Sequence, residues 1–309
     1  MTRISVIIPT YQRPESLFRC LLALANQTFA PNQFEVIVVD DGSGTEAIEQ
    51  IKNSTKDFPF SLEVLSQPNQ GPAAARNLGI EQAQSPLIAF TDDDCVPEPE
   101  WLEALEAAWT GSPDCAGIGG FTYRLEEQQV ARYIDYAGSL QPNRHPAGYL
   151  NYIVTCNALF QREALLKVGG FETQVRWAGG EEPILGARLR EAGYHFLEAP
   201  AARVQHQHPR SWQALFRMFW RYGRGEWAGT QSGVRKGYSG NLLYFIKLFL
   251  LDGWSILMGP RVKWKDKIPF LLLSTVKALG SISGWRYQRS QPPPQTETSP
   301  SAPDPQTVT

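Results

Sequence analysis

Residues 87–94, LIAFTDDD, join a short apolar run to three consecutive aspartates. The run Leu87–Thr91 has the length and composition of a buried β-strand, and negative charge follows it at once. The same order occurs earlier in the chain, where Asp40 and Asp41 follow EVIVV at residues 35–39. In an open parallel sheet, ligands bind beyond the carboxyl ends of the strands. Both acidic clusters are therefore expected to face one crevice at the same edge of a sheet.

Short β-rich runs alternate with helical patterns through residues 1–125, which predicts an α/β fold with a mostly parallel sheet flanked by helices. The predicted strands are Ile4–Ile8, Glu35–Val39, Leu62–Leu65, Leu87–Thr91 and Cys115–Arg124. The predicted helices are about Pro14–Asn26, a helix that begins at Pro72, and about Pro99–Trp109. The pattern then predicts a strand and a short helix within residues 152–171, a helix between Pro183 and Gly193, and two strands at residues 195–200 and 203–208.

The net charge is −2, but acidic and basic residues are distributed unevenly along the 309 residues. Residues 1–202 carry 14 Lys and Arg against 26 Asp and Glu, whereas residues 203–290 carry 15 against 3, together with six of the nine tryptophans. Basic residues interleaved with aromatic ones suit an anionic membrane surface, and could also suit nucleic acid. No nucleic-acid-binding motif is recognised, and the apolar runs of this segment favour lipid.

Two apolar runs, Leu242–Met258 and Ile268–Ile282, follow the helical and aromatic pattern that begins beyond Ser211. Charged residues interrupt both runs, and both are shorter than the roughly 20 residues that a bilayer core requires. We expect helices that lie in the plane of a membrane surface, and a pair of core helices is the alternative.

The four cysteines are Cys20, Cys95, Cys115 and Cys156, and no two of them form a CxxC pair. A zinc site made of thiolates and a disulfide framework are therefore not expected. The first apolar run, Ile4–Ile8, is far shorter than the core of a secretory signal. These features predict a cytoplasmic location.

Three adjacent aspartates are tolerated where a divalent cation neutralises them, and Mg²⁺ or Mn²⁺ suits carboxylate ligands that share the ion with substrate phosphates. Along an extended stretch Asp92 and Asp94 would point the same way, and Asp93 would point elsewhere. By the same alternation His206 and His208 lie on one face of a strand. Such a histidine pair is more often structural, but with a metal implied either one is a candidate ligand.

Glu181 and Glu182 stand immediately before Pro183 and after the glycines of WAGG, residues 177–180. Carboxylates at the start of a helix are favoured by its unsatisfied amide groups, so capping is one interpretation. The other is a general base carried on a loop that glycines make flexible.

Five motifs, in their order and spacing, resemble those of the family 2 glycosyltransferases with the GT-A fold. They are SVIIPTYQRPESLFRCLLALANQTF, EVIVVDDGSG, NQGPAAARNLGI, FTDDDCVP and GGEEPILGARLREAGY. The resemblance covers about residues 3–225. It implies a Rossmann-like nucleotide-diphospho-sugar transferase fold, and an inverting transfer of a sugar from a nucleotide-diphosphate sugar to an acceptor hydroxyl.

The resemblance also implies roles for individual residues. The implied nucleotide-sugar site comprises Pro9, Thr10, Tyr11, Arg13, Asp41, Gly71, Arg76, Asp92 and Asp93. Among them, residues 9–11 match a loop that wraps the nucleoside, and Asp41 matches an aspartate that contacts the base. The implied metal ligands are Asp94 and Asp92, with His206 or His208. Many relatives have Glu-Asp where this chain has Glu181 and Glu182, so we expect Glu182 to be the base and keep Glu181 as the alternative.

The resemblance implies a GT-A catalytic domain over 1–225. The composition predicts a basic and aromatic helical extension over 226–290 and a disordered tail over 291–309. The Gln-x-x-Arg-Trp signature of processive synthases does not occur, which predicts a nonprocessive enzyme. The expected donor is a UDP-sugar, and the expected acceptor is a saccharide or lipid-linked molecule of the cell envelope. We expect peripheral contact with the inner face of the cell membrane through 226–290. The alternatives are a sugar-phosphate nucleotidyltransferase and a noncatalytic membrane-associated module of the same fold.

Overall fold

A computed structural model of the chain describes residues 2–109, 111–175, 179–231 and 242–291. Its strands are β1 Ile4–Thr10, β2 Phe34–Asp40, β3 Ser61–Ser66, β4 Leu87–Thr91, β5 Cys95–Pro97, β6 Cys115–Arg124, β7 Asn143–Arg144, β8 Leu150–Tyr152, β9 Asn157–Gln161 and β10 His195–His206. Its helices are α1 Pro14–Ala25, α2 Thr45–Ser54, α3 Pro72–Gln82, α4 Trp101–Ala108, α5 Gln129–Ala137, α6 Arg162–Lys167, α7 Glu181–Glu191, α8 Trp212–Gln231, α9 Leu242–Met258 and α10 Trp264–Ser290. The predicted tail lies outside the described residues except for Gln291.

One sheet of eight strands forms the centre of the fold, in the order β3-β2-β1-β4-β9-β6-β10-β5. Strands β3, β2, β1 and β4 are mutually parallel, and β6 is parallel to β10. Strand β9 runs antiparallel between β4 and β6, and β5 is antiparallel to β10 at the edge. The predicted mostly parallel sheet with flanking helices is therefore confirmed.

The central strands are parallel because both of their faces are covered. All seven residues of β1 are buried, as are all five of β4, and strands that are buried on both faces are typical of parallel sheets. Helices α1 and α4 cover one face, while α3, α6 and α7 cover the other. Helix α3 lies so close to β1 that a Cβ on Gly79 would stand 2.6 Å from Cγ2 of Ile7.

The separate strands predicted at 195–200 and 203–208 are one strand, β10, that ends at His206. Its pairing with β6 shifts register between Ala199 and Arg203, because the intervening residues bulge out of the ladder. Pro200 lies in this bulge, where its missing N–H costs no ladder hydrogen bond. The strand that emerges carries His206 opposite Cys95 of β5.

Helix α10 is longer than the apolar run that predicted it, because polar residues extend the helix at both ends. With 27 residues it is the one helix of the described chain that is long and apolar enough to cross a membrane, judged by length and composition alone. The expectation that both apolar runs are too short to span a bilayer is therefore wrong for α10. Asp252 of the first run pairs with Lys277 of the second, since Lys277 Nζ lies 3.6 Å from Asp252 Oδ2.

The C-terminal helices pack on the core through glycines. A Cβ on Gly284 of α10 would lie 1.9 Å from the carbonyl oxygen of Trp220 in α8, and one on Gly280 would lie 2.8 Å from that of Phe216. Residue 225, the predicted end of the catalytic domain, lies inside α8. The division into domains stays a prediction.

Replacing Gly284 with alanine is expected to lower the free energy of unfolding by about 1–3 kcal/mol, because a backbone oxygen cannot yield to the new methyl group without separating the helices. Urea denaturation followed by circular dichroism measures the change. Gly253→Ala in α9 is the control, since its Cβ would meet only Cδ2 of Leu271 at 3.7 Å. There the better helix propensity of alanine should raise stability by up to about 1 kcal/mol. Equal effects of the two substitutions would contradict the tight α8–α10 packing.

Candidate active site

The three aspartates form a tight turn after β4. The amide of Cys95 donates to the carbonyl of Asp92 at 3.1 Å, a bond from residue i+3 to residue i that closes a reverse turn. The expectation of an extended stretch with Asp92 and Asp94 pointing the same way is therefore wrong. The chain must reverse here to carry β5 to the antiparallel edge position beside β10. As a result Asp92 contacts Arg76, whereas Asp93 and Asp94 share Arg13.

Asp93 points inward and joins the turn to the end of β1. Its Oδ2 accepts from Thr10 Oγ1 at 2.8 Å, and its Oδ1 accepts from Arg13 Nη1 at 3.1 Å. Burial, and then the charge of Asp94, raise the pKa of Asp93 to about 7.

Pro9 and Thr10, expected in a nucleoside-wrapping loop, lie inside β1 and are buried, whereas Tyr11 follows the strand and is exposed.

Asp94 meets His206 at the open edge of the sheet. Oδ1 of Asp94 lies 3.3 Å from Nε2 of His206, and Oδ2 accepts from Arg13 Nη1 at 2.7 Å. Because β5 pairs with β10 in register, Cys95 stands opposite His206, and one donor atom from each of these three residues lies within 4.8 Å of the other two. The structure thus brings together two of the predicted metal ligands, and it adds a thiol that the sequence did not single out.

These residues fit a divalent cation. A carboxylate oxygen and an imidazole nitrogen converge there, and Nδ1 of His206 is buried without a hydrogen-bond partner among the described residues. Burial raises the pKa of the Cys95 thiol, which keeps it protonated and makes Asp94 and His206 the stronger donors.

The other two predicted ligands are engaged elsewhere. Asp92 Oδ1 accepts from Arg76 Nη2 at 2.8 Å. His208 Nε2 contacts Asp135 Oδ1 at 3.1 Å, and burial lowers the pKa of this histidine. The rings of His206 and His208 lie 5.0 Å apart, although β10 ends at His206 and His208 follows the strand.

Arg76 bridges the aspartate turn and the glutamate pair. Besides its bond to Asp92, its Nη1 lies 3.4 Å from Oε1 of Glu181, and its guanidinium stands 5.7 Å from the centre of the Phe171 ring. The side chain is almost fully buried, and its carboxylate partners raise its pKa against the opposing effect of burial. The arginine that was predicted on the nucleotide side therefore forms ion pairs with two carboxylates of the protein.

The two glutamates occupy different environments. Glu181 is buried, and its Oε2 accepts from the amides of Gly179 and Gly180 at 2.8 and 3.0 Å, so it holds the loop that precedes α7. Glu182 is half-buried, and its Oε1 accepts from the amide and the hydroxyl of Thr155 at 3.0 and 2.8 Å. Burial and the adjacent charge of Glu181 raise the pKa of Glu182 to about 7, with Arg76 and Thr155 opposing them.

Two residues near the glutamate pair were missed by the sequence analysis, Thr155 and Tyr222. Helix α8 backs the loop before Glu181, since a Cβ on Gly179 would lie 2.8 Å from Cδ1 of Tyr222. Burial, and then the charge of Glu182, raise the pKa of Tyr222. Nothing in the spacing of the sequence signals either residue, because both come from segments remote from the glutamates.

Asp41 and Gly71, both predicted on the nucleotide side, meet at the start of α3. The buried carboxylate of Asp41 accepts from Gln67 Nε2 at 2.7 Å and from the amides of Gln70 and Gly71 at 2.9 and 2.8 Å. Gly71 has φ +95°, a conformation that favours glycine. Asp41 therefore fixes the loop between β3 and α3 at the same edge of the sheet as the aspartate turn.

Known proteins share both the sequence and the fold. Residues 5–169 match the family described as Glycosyl transferase family 2. Glycosyltransferase AglE of Haloferax volcanii is 32% identical over 260 residues, which cover 81% of this chain and 81% of that protein. The pre-mycofactocin glycosyltransferase of Mycobacterium tuberculosis is 32% identical over 216 residues, which cover 66% of this chain and 43% of that protein.

Solved structures share the fold at lower identity. The mannosyltransferase PcManGT from Pyrobaculum calidifontis, in complex with GDP-Man and Mn²⁺, has a TM-score of 0.69 and 18% identity, covering 93% of this chain and 87% of that chain. TarS 1–349 of S. aureus in complex with UDP has a TM-score of 0.53 and 16% identity, covering 94% and 92%. The 32% identity to AglE extends over 81% of both chains, which shows that the two proteins belong to one family. This chain belongs to glycosyltransferase family 2 and is a glycosyltransferase with a GT-A-like fold.

Proposed function

We propose that this glycosyltransferase catalyses a metal-dependent, inverting transfer of a sugar from a nucleotide-diphosphate sugar, by default a UDP-sugar, to a hydroxyl of a saccharide or lipid-linked acceptor. The transfer is nonprocessive and adds one or a few sugars. The observation that carries the proposal is the Arg76 bridge, which holds the aspartate turn beside the glutamate pair. A donor site and a base must be neighbours for a single displacement to occur.

Glu182 is the general base in this proposal. Its pKa near 7 suits a group that must accept a proton at neutral pH, and it is the more accessible of the two glutamates. As the acceptor oxygen bonds to the anomeric carbon, its proton passes to Glu182 and the bond from that carbon to the diphosphate oxygen breaks. Glu181 is less suited, because the Gly179 and Gly180 amides and Arg76 occupy its carboxylate.

Asp94 and His206 would hold the divalent ion, Mg²⁺ or Mn²⁺. When bound, such an ion offsets negative charge on the departing diphosphate. Asp92 and His208 rank behind this pair as ligands because neither belongs to the cluster of donor atoms that Asp94, Cys95 and His206 form. The Mn²⁺ in the structure of PcManGT supports the use of a divalent ion.

The remaining predicted residues form the donor side of the site. Tyr11, which is 43% exposed, stands beside Arg13, whose side chain is 48% exposed although it pairs with Asp93 and Asp94. Both side chains are accessible to the nucleotide and its diphosphate. Pro9, Thr10 and Asp93 support them from beneath. The structure of PcManGT contains GDP-Man, and that of TarS 1–349 contains UDP. Both ligands support a nucleoside-diphosphate site in this protein.

The acceptor belongs to cell-envelope polysaccharide or glycolipid synthesis in this proposal. The enzyme lies in the cytoplasm and meets the inner face of the membrane peripherally through 226–290. Support comes from the positive charge and tryptophan content of residues 203–290. The proposal includes no nucleic-acid partner.

A screen of sugar nucleotides with Mn²⁺ and with Mg²⁺ tests the reaction. We expect one sugar nucleotide to raise the melting temperature only when metal is present, and to be hydrolysed slowly to the nucleoside diphosphate. Pyrophosphate formed from a nucleoside triphosphate and a sugar phosphate would instead identify a nucleotidyltransferase. Binding of a donor without any turnover, even with acceptors supplied, would favour the noncatalytic module.

A further inference from the structure

Helices α9 and α10 each expose a stripe of large apolar side chains. Three large side chains recur at every fourth position along each helix, so each set forms one stripe. Six residues make up this outer face, each between 62% and 85% exposed: Leu250, Trp254, Met258, Trp264, Ile268 and Leu272. The opposite sides of the two helices are buried against α5 and α8, through residues such as Ile256 and Phe270. Large apolar side chains that are exposed together on the surface of a domain mark an interaction site.

The acidic groups of this region point the other way, into the packed side. Residues 242–291 contain two acidic residues, Asp252 and Asp266. Asp252 Oδ2 accepts from Tyr133 at 2.9 Å and from Ser274 at 2.6 Å, and it faces Lys277. Asp266 is buried and pairs with Arg132 of α5. The acidic groups of the region therefore lie inside and the apolar groups of the outer face are exposed, the reverse of a face that is meant for water.

The exposed charge beside the outer face is positive. Arg261, Lys263 and Lys265 are exposed around Trp264, where α9 connects to α10. A second copy of the same face would place these cations against each other, which disfavours self-association through it. Anionic lipid headgroups complement them, and tryptophan is enriched at the boundary between headgroups and acyl chains.

The contacts of α10 decide how such a surface meets a bilayer. The inner side of α10 packs along α8 through Gly280 and Gly284. Helix α8 carries Arg217 and Arg221, both exposed. If α10 crossed the membrane, α8 would have to follow it and bring these arginines into hydrocarbon, which is costly. A helix that lies in the plane of the surface avoids this cost.

We propose that the outer face docks α9 and α10 flat on an anionic lipid bilayer, with Trp254 and Trp264 at the boundary between headgroups and acyl chains. This inference deepens, and rests on, the proposed peripheral membrane contact. It assigns that contact to six side chains and gives the two helices an orientation parallel to the membrane surface.

Vesicle cosedimentation of the full chain tests the surface. The vesicles contain phosphatidylcholine alone or equal parts of phosphatidylcholine and phosphatidylglycerol. We expect binding to the anionic vesicles, a blue shift of tryptophan fluorescence, and release by alkaline carbonate. The double variant Trp264→Ser, Ile268→Ser should lower the partition coefficient about tenfold or more. Trp212→Ser on α8 is the matched control, an exposed tryptophan outside the outer face, and should bind as the parent does.

Undiminished binding of the double variant, or no binding of the parent protein at low salt, would overturn the proposal. Retention after carbonate treatment would overturn the in-plane orientation. A concentration-dependent dimer of the parent that the double variant abolishes would show instead that a second copy covers the face. Hydrolysis of the donor in solution is measured beside these assays. If the double variant hydrolyses donor at the parental rate, a failure of docking leaves the proposed reaction untouched.

Discussion

Replacing Glu182 with glutamine is expected to lower kcat by about 10²–10⁴-fold, with the KM for the donor changed little. The amide keeps the size of the side chain, and its carbonyl oxygen can still accept from Thr155. It cannot take up the proton of the acceptor hydroxyl. The loss should therefore fall on the chemical step, which initial-rate measurements of nucleoside diphosphate release with saturating donor and acceptor resolve.

Glu191→Gln, at the exposed end of the same helix, is the control and should leave kcat unchanged. Full turnover of Glu182→Gln would assign the base elsewhere, with Glu181 the next candidate. The parent enzyme should also show an acidic limb in kcat near pH 7. Burial and the charge of Glu181 favour the protonated form of Glu182, so the active carboxylate accumulates only as the pH rises through its pKa of about 7. The limb should be missing from the residual rate of the glutamine variant.

Replacing Asp94 with asparagine is expected to lower metal-dependent turnover by about 10³-fold, since stabilisation of charge by a bound cation is worth several kcal/mol and each 1.36 kcal/mol is a factor of ten. The substitution removes the negative charge that faces both His206 and Arg13. Titration of Mn²⁺ by electron paramagnetic resonance should show weaker binding, which separates loss of the ion from a loss of folding.

Asp57→Asn, an exposed aspartate far from the turn in sequence, is the control for a change of charge alone. It should retain both the affinity for Mn²⁺ and the turnover. If Asp94→Asn binds Mn²⁺ as tightly as the parent does, the ligand set must lie elsewhere, and Asp92 would then be the first residue to examine.

The fold and the edge on which the site lies could be predicted from local pattern. Apolar runs such as Ile4–Ile8 and Leu87–Thr91 specify buried strands through their own composition, and the helices between them follow from spacing along the chain. Chain order then places Asp41 and the aspartate turn at one edge, because parallel strands end on the same side. The ordered motifs added the family and the candidate residues.

The α/β class, the family and the identity of the acidic groups therefore follow from the amino-acid sequence. The different surroundings of those acidic groups follow from tertiary contacts. Residues 92–95 form a turn rather than an extended stretch, Arg76 joins Asp92 to Glu181, and Thr155 holds Glu182. Each of these results depends on contacts between segments far apart in the chain. The periodicity of a sequence records which face of an element is buried, but carries no record of which remote side chain meets it there.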